Sequence, residues 1–337
     1  MRKASGAFPA RRSAILGGIL LLAVLGHLFV GHSSLNWSTL LTEGVSTQQW
    51  FILQEFRLPR VLMAIIVGAG LAVAGVALQA LFRNPLAEPG LIGVASSSAF
   101  GAVAIMVLGG WLWQQVALWQ IGFFAFASGL LATLLIYRLA TKSGQTDIAL
   151  MLLAGVAVNA IMGAATQLLL SVADLVQLRT VTFWLMGSLV NLSWPSVVGV
   201  SAVVLFCTAV LWRLVRAMNA FVLGENSARY MGFDTGRFKW QVMIFSALMV
   251  SSAVSVVGVI GFVGLVVPHI VRLWVGSDHR LVLPLSALGG AILLVLADWL
   301  ARVMLHPLEL PIGLLMALIG APFFLMMLLK QRRGWRQ

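Results

Sequence analysis

Ten apolar stretches, near 14–32, 59–81, 91–109, 116–137, 147–170, 194–212, 240–257, 261–273, 281–301 and 311–329, leave little of this chain outside them. A membrane-spanning helix needs roughly 20 predominantly apolar residues. Only structures that satisfy their own backbone hydrogen bonds survive in lipid. The pattern therefore predicts an all-α integral membrane protein, a polytopic bundle of about ten spans forming one domain over residues 1–337. A soluble globule is excluded by the same count, because 61% hydrophobic and 9% charged residues cannot supply a polar surface. The first stretch follows Arg2, Lys3, Arg11 and Arg12. It is long for a secretory signal and lacks a good cleavage site, so it reads as a span.

The net charge of +12 raises nucleic acid as a partner, but the basic residues flank apolar runs instead of gathering in a domain with interleaved aromatics, so no nucleic-acid role is read. With the N-terminus placed in the cytoplasm, only Arg57, Arg60, Arg179 and Arg302 of the 22 Lys and Arg residues fall on the outer side. That asymmetry follows the positive-inside rule and predicts cytoplasmic N- and C-termini in a multi-pass inner-membrane protein. Residues 240–273 carry Arg237 and Lys239 before them and Arg272 near their end, so both ends belong in the cytoplasm. The segment must go in and come back as a re-entrant-like helical hairpin, with Gly258, Gly261, Gly264 and Pro268 supplying the breaks. A glycine-spaced packing face on one long helix is the competing reading.

Absences narrow the chemistry. A phosphate-cradling Walker A loop needs Gly-Lys followed by Ser or Thr, and none of Lys3, Lys142, Lys239 and Lys330 follows a glycine. Any ATP used must be hydrolysed by a partner. His27, His32, His269, His279 and His306 lack metal-ligand spacing, and the lone Cys207 lies in an apolar run. No catalytic residue, metal site or resident cofactor is read in this chain. Ion-coupled transporters carry ionisable groups near the bilayer midplane. Here the acids sit almost entirely in loops, except Asp298, which has Arg302 one turn later as a local partner.

Four features carry the remaining signal. The polar segment 217–236 holds a short helix-forming stretch bracketed by glycines, Leu223-Gly224-Glu225-Asn226-Ser227-Ala228-Arg229-Tyr230-Met231-Gly232, with Glu225 and Arg229 one helical turn apart. The fifth span places Asn159, Gly163 and Thr166 on one face with Gln167 beside them, which suits either a passage lining or hydrogen bonding between helices. Arg179 is a lone cation before the sixth span, with Phe183 one turn along; it suits an anionic planar solute at the entrance or an interfacial anchor. Arg57-Leu58-Pro59-Arg60 opens the second span, with Pro59 in its first helical turn, where a missing amide hydrogen does no harm.

Those segments, together with Gln79 to Pro89 (QALFRNPLAEP), Phe183 to Ser188 (FWLMGS) and Gly258 to His269 (GVIGFVGLVVPH), closely resemble one family over nearly the whole chain. It is the permease family of ATP-binding-cassette importers for iron-siderophore complexes, haem or cobalamin. The resemblance implies a homodimer of ten-helix subunits around a central pathway. Two ATPase subunits binding Mg-ATP would lie beneath, and a periplasmic substrate-binding protein above. It also implies that Leu223, Gly224, Glu225, Ser227, Ala228, Arg229, Met231 and Gly232 form the ATPase-coupling segment. By the same resemblance Arg57, Arg60 and Arg302 face acidic residues of the binding protein; interfacial anchoring is the plainer reading of each. Asn159, Gly163, Thr166, Gln167 and Arg179 are the pathway candidates. The expected cargo is an iron chelate, haem before ferric siderophore, with cobalamin as the alternative. An ion-coupled transporter and a membrane scaffold are the two competing classes, and neither predicts the coupling segment.

Overall fold

The computed structural model describes residues 7–29, 46–112, 116–142, 145–190, 192–305 and 308–334. Arg2, Lys3 and Arg336 of the charge count, together with His32 and His306, lie outside the described residues. The helices are α1 (Ala7–Phe29), α2 (Thr47–Ile52), α3 (Leu58–Leu81), α4 (Val94–Leu112), α5 (Leu118–Ala140), α6 (Ile148–Ser171), α7 (Leu175–Leu185), α8 (Trp194–Arg213), α9 (Val215–Val222), α10 (Glu225–Tyr230), α11 (Thr235–Val257), α12 (Val263–Val275), α13 (His279–Val303) and α14 (Ile312–Gly334). A two-residue antiparallel hairpin, β1 (Thr141–Lys142) and β2 (Gln145–Thr146), joins α5 to α6. Within the described residues, each of the ten apolar stretches coincides for most of its length with a helix. Among the described residues, seven helical units are long and apolar enough to cross a bilayer, and α4, α12 and α14 carry shorter apolar stretches.

Helix α3 is the core of the bundle because its sequence alternates bulky apolar residues with Gly and Ala. In lipid there is no hydrophobic drive between helices, so association depends on close van der Waals approach, which small residues permit. A Cβ on Gly68 would sit 2.2 Å from the Gly290 carbonyl oxygen of α13, and one on Gly75 would sit 2.0 Å from that of Gly264 in α12. The helical unit holding α3 is 78% buried along its most apolar window, against 17% for α6. The outward side chains of α5 and α8, such as Leu131, Leu135, Leu205 and Phe206, remain exposed and apolar, as a lipid-facing surface must be.

Pro59 does not open a helix as expected. The helix begins at Thr47 and runs through to Leu81, with a π-helical turn over Leu53–Arg57 just before the proline. There the Leu58 amide donates to the Leu53 carbonyl, five residues back. Widening the turn makes room for a ring that would otherwise clash with the carbonyl four residues earlier.

The chain crosses the subunit through α11, starting at Thr235, and turns back into the half-length α12, which ends at Val275. Lys239 near the start of α11 and Asp278 just beyond α12 both bond to the α9–α10 segment, so both ends lie on one face. The break is irregular backbone satisfied by protein instead of lipid. Val257 accepts from the Ser188 amide at 2.8 Å, and Glu88 Oε1 accepts from the Phe262 amide at 2.5 Å. Gly187 and Met186 accept from Ile312 and Gly313, which stitches the start of α14 to the same point. Gly258 has φ +73°, and a Cβ there would lie 2.3 Å from the Trp184 carbonyl, so only glycine fits.

Candidate functional sites at the two ends of the bundle

The cytoplasmic site is built on α9 and α10. Helix α9 is amphipathic: Met218 and Phe221 are buried, the latter with its ring centroid 4.9 Å from that of Phe238 in α11. Gly224 (φ +125°) and Gly232 (φ +87°) bracket α10 in conformations that a side chain would strain. Within the bracket Ala228 is buried, and Ser227 Oγ donates back to the Leu223 carbonyl at 3.4 Å. Leu223, Arg229, Tyr230 and Met231 point outward. Tyr230, 91% exposed, has no local signal that sets it apart in the sequence; with exposed Leu223 and Met231 beside it, it forms an apolar tip on this face.

Two anchors hold this segment. Asn219 of α9 donates to Asp278 at 2.7 Å and accepts from the His279 amide at 2.9 Å, tying α9 to the start of α13. Burial pushes the Asp278 carboxyl up, but the hydrogen bonds from the Arg280 amide and Asn219 outweigh it and hold this acid below the usual carboxylate range. Glu225 of α10 meets Arg229 one turn along at 3.7 Å, as the spacing suggested, but its closer partner is Lys239 of α11 at 2.7 Å. Sequence spacing shows only partners on the same helix, which is why Lys239 escaped it.

At the outer end the sequence-predicted arginines converge. Arg60 grips Asp298 with Nε at 2.8 Å and Nη2 at 2.9 Å, and reaches Glu309 with Nη1 at 3.0 Å. Arg302 approaches Asp298 at 3.7 Å and donates to the His27 carbonyl, while His27 Nε2 lies 2.6 Å from the same carboxylate. Arg57 donates to the Leu28 carbonyl. The local Asp298–Arg302 pair read from sequence is thus the weaker part of a cluster joining α1, α3 and α13. Arg57 and Arg302 are buried, and Arg60 keeps an edge open beside Glu309. Arg60, Glu309, Asp298 and Phe183 line a small pocket at this rim.

The α6 stripe divides. Asn159 donates to the Gly90 carbonyl at 2.9 Å and accepts from Ser96 Oγ at 2.5 Å, so it bonds across to the 3-10 turn (Pro89–Ile92) and α4. Thr166 is buried with its hydroxyl on the Met162 carbonyl. Gly163 and Gln167 lie open. Helix α7, which hydropathy alone left as a connecting segment, continues this open surface: Leu175 and Val176 are bare, and Arg179 is exposed with its guanidinium 5.9 Å from the centre of the Phe183 ring. A cleft of about 950 Å³ runs behind α7, lined by Trp119, Phe123, Phe183, Trp184, Ser193 and Ser255 among others.

A model of the FecCD transport family matches residues 19–330. The chain belongs to that family. A hemin transport system permease of Yersinia pestis is 42% identical over 322 residues, covering 94% of this chain and 96% of the relative. A vitamin B12 import system permease of Vibrio cholerae is 40% identical over 327 residues, covering 95% and 94%. A metal-chelate type ABC transporter solved in an inward-facing conformation superposes with a TM-score of 0.86 at 32% identity, over 95% of this chain and 99% of that one. This FecCD chain is therefore a multi-pass permease of the inner membrane, and its relatives are transport subunits, not enzymes.

Proposed function

We propose that this FecCD permease moves an iron chelate, haem in particular, from a periplasmic binding protein into the cytoplasm, driven by a separate ATPase. The observation that carries the cargo assignment is Arg179 beside Phe183 on the bare face of α7: a cation next to an aromatic ring suits a flat, apolar body with carboxylates at its edge. The long coverage of the hemin permease of Y. pestis supports the same reading. Cobalamin, carried by the vitamin B12 permeases among its relatives, is the second reading; its periphery is mostly neutral amide, which gives Arg179 less to hold.

In this reading two copies face each other through α6 and α7, which both carry broadly exposed apolar side chains, and the pathway runs between Gly163, Gln167 and Arg179 of each. Two ATPases bind Mg-ATP and grip the apolar tip of α10 through Leu223, Tyr230 and Met231. ATP-driven closure shifts the α9–α10 segment and switches access between the two sides, a rigid-body change that needs no chemistry in this subunit. At the outer rim Arg60 and Glu309 offer the binding protein a charged edge, with Arg57 and Arg302 fixing that edge from behind. Deleting the chain from its host and supplying hemin as sole iron source, or cyanocobalamin as sole corrin source, tests the cargo. Loss of growth on hemin alone is expected; loss on cyanocobalamin alone would overturn the haem assignment.

A further inference from the structure

Lys239 stands in the second turn of α11 and is only 2% exposed. A buried ammonium must find partners, because a charge taken out of water and left unpaired is strongly destabilising. It finds two. Nζ donates to the Thr146 carbonyl at 2.8 Å and to Glu225 Oε1 at 2.7 Å. Thr146 ends β2, one residue before the Asp147 side chain caps α6. Glu225 is the first residue of α10. One side chain therefore fastens the tip segment to α11 and to the entrance of α6, whose long face lies open.

The neighbouring contacts show why this bond matters more than the pair first read from spacing. Arg229 reaches the same carboxylate at 3.7 Å with 58% of its side chain exposed, an arrangement that water screens. The Asn219 anchor belongs to α9 and leads to α13, so it does not reach α6. Beside the Glu225–Lys239 bond lies a cavity of about 310 Å³, lined by Gln145, Phe233, Asp234 and Arg229 together with the bonded pair. Lys239 is itself packed into α11, so a displacement of Glu225 passes through this bond to that helix.

We propose that Lys239 is the positioning residue that transmits displacement of α10 to α11 and α6 together, converting ATPase closure into a change at the pathway. The inference rests on the importer reading above. If it holds, cutting the tie uncouples hydrolysis from transport without dissolving the complex.

The test uses the whole transporter, permease with its co-purified ATPase and binding protein, in proteoliposomes. The cargo probe is hemin, or cyanocobalamin if that is what the wild type accumulates. The variants are Lys239→Met, Lys239→Arg and Glu225→Gln. Lys239→Met is expected to bind ATPase at wild-type stoichiometry, to keep basal hydrolysis within twofold, and to move at least tenfold less cargo per ATP. Lys239→Arg, which keeps a multi-donor cation at this position, is expected to return that ratio to within threefold of wild type. Glu225→Gln, which keeps the Thr146 bond and weakens the other, falls between. A wild-type ratio in Lys239→Met overturns the proposal. So does joint loss of assembly, hydrolysis and transport in Lys239→Met without recovery in Lys239→Arg, which would make the residue merely structural. A wild-type preparation containing no ATPase sinks the importer reading instead, and is seen before any variant is measured.

Discussion

Replacing Asp298 by Ala removes the anion on which the outer-end cluster is centred. The carboxylate is 1% exposed and takes two charge-assisted bonds from Arg60, one contact from His27 and a longer one from Arg302, itself buried. Breaking a buried pair by deleting one partner costs about 3–5 kcal/mol, since the surviving cation stays desolvated. Arg60 retains Glu309, which is 31% exposed and screens it only in part, so the lower end, about 3 kcal/mol, is expected. For a chain of this size that is a fall of roughly 4 °C in melting temperature. Thermal unfolding of the purified protein in mild detergent, followed by tryptophan fluorescence, measures it. The double variant with Arg60→Met should fall short of additivity by about 2 kcal/mol, because the two residues share one interaction. A loss below about 1 kcal/mol, or strict additivity, would refute the claim that this cluster clamps α1, α3 and α13 together. The same cycle sets a condition on docking experiments: Arg60 variants must be shown to be folded before weaker binding-protein capture is attributed to the rim.

Three shorter predictions follow from the packing and the open face. Gly75→Ala forces α3 and α12 apart, because its Cβ would meet the Gly264 carbonyl at 2.0 Å; a loss of about 3 kcal/mol is expected in the same melting assay, while Gly163→Ala, with nothing within 4 Å, stays at wild-type stability. Asn159→Ala removes its bonds with the Gly90 carbonyl and Ser96 Oγ, which keep the Gly93 amide and carbonyl as partners, so stability falls by about 1 kcal/mol with cargo affinity within twofold; a large affinity change at unaltered stability would return Asn159 to the pathway. Arg179→Glu leaves melting unchanged because the side chain is exposed, yet raises the half-saturating hemin concentration about tenfold, the equivalent of one charge-assisted bond; equal effects on cyanocobalamin uptake would argue against an anionic cargo.

The bundle was largely legible because period-free apolar runs and flanking charge are properties of the chain alone. Gly258 and Gly261 marked the break between α11 and α12, although the outgoing limb proved a full span. What was hidden depends on partners far apart in sequence. His27, 271 residues from Asp298, carries no local sign of its role. Lys239 reads as one more topology charge until Glu225 and Thr146 are beside it. Glu88 looks like a loop acid, but its carboxylate receives the Phe262 amide at the start of α12. Helix α7 is short, with polar residues at Gln177, Arg179, Thr180 and Thr182, so hydropathy passed over it, although Asp174 and Gln177 form a capping box that could have announced it. The π-turn before Pro59 was missed because a proline near a positive charge is more commonly a helix start than a bend within one.

Extraction of the chain from native membranes in mild detergent, with mass and stoichiometry of everything that stays bound, decides whether it works as an ATP-driven importer. The expected result is two copies of this FecCD permease with two copies of a P-loop ATPase, and release of the ATPase when Leu223, Tyr230 and Met231 are replaced by Asp. A permease oligomer that carries no ATPase across detergents and nucleotide conditions, and still moves cargo under an ion gradient, would contradict it.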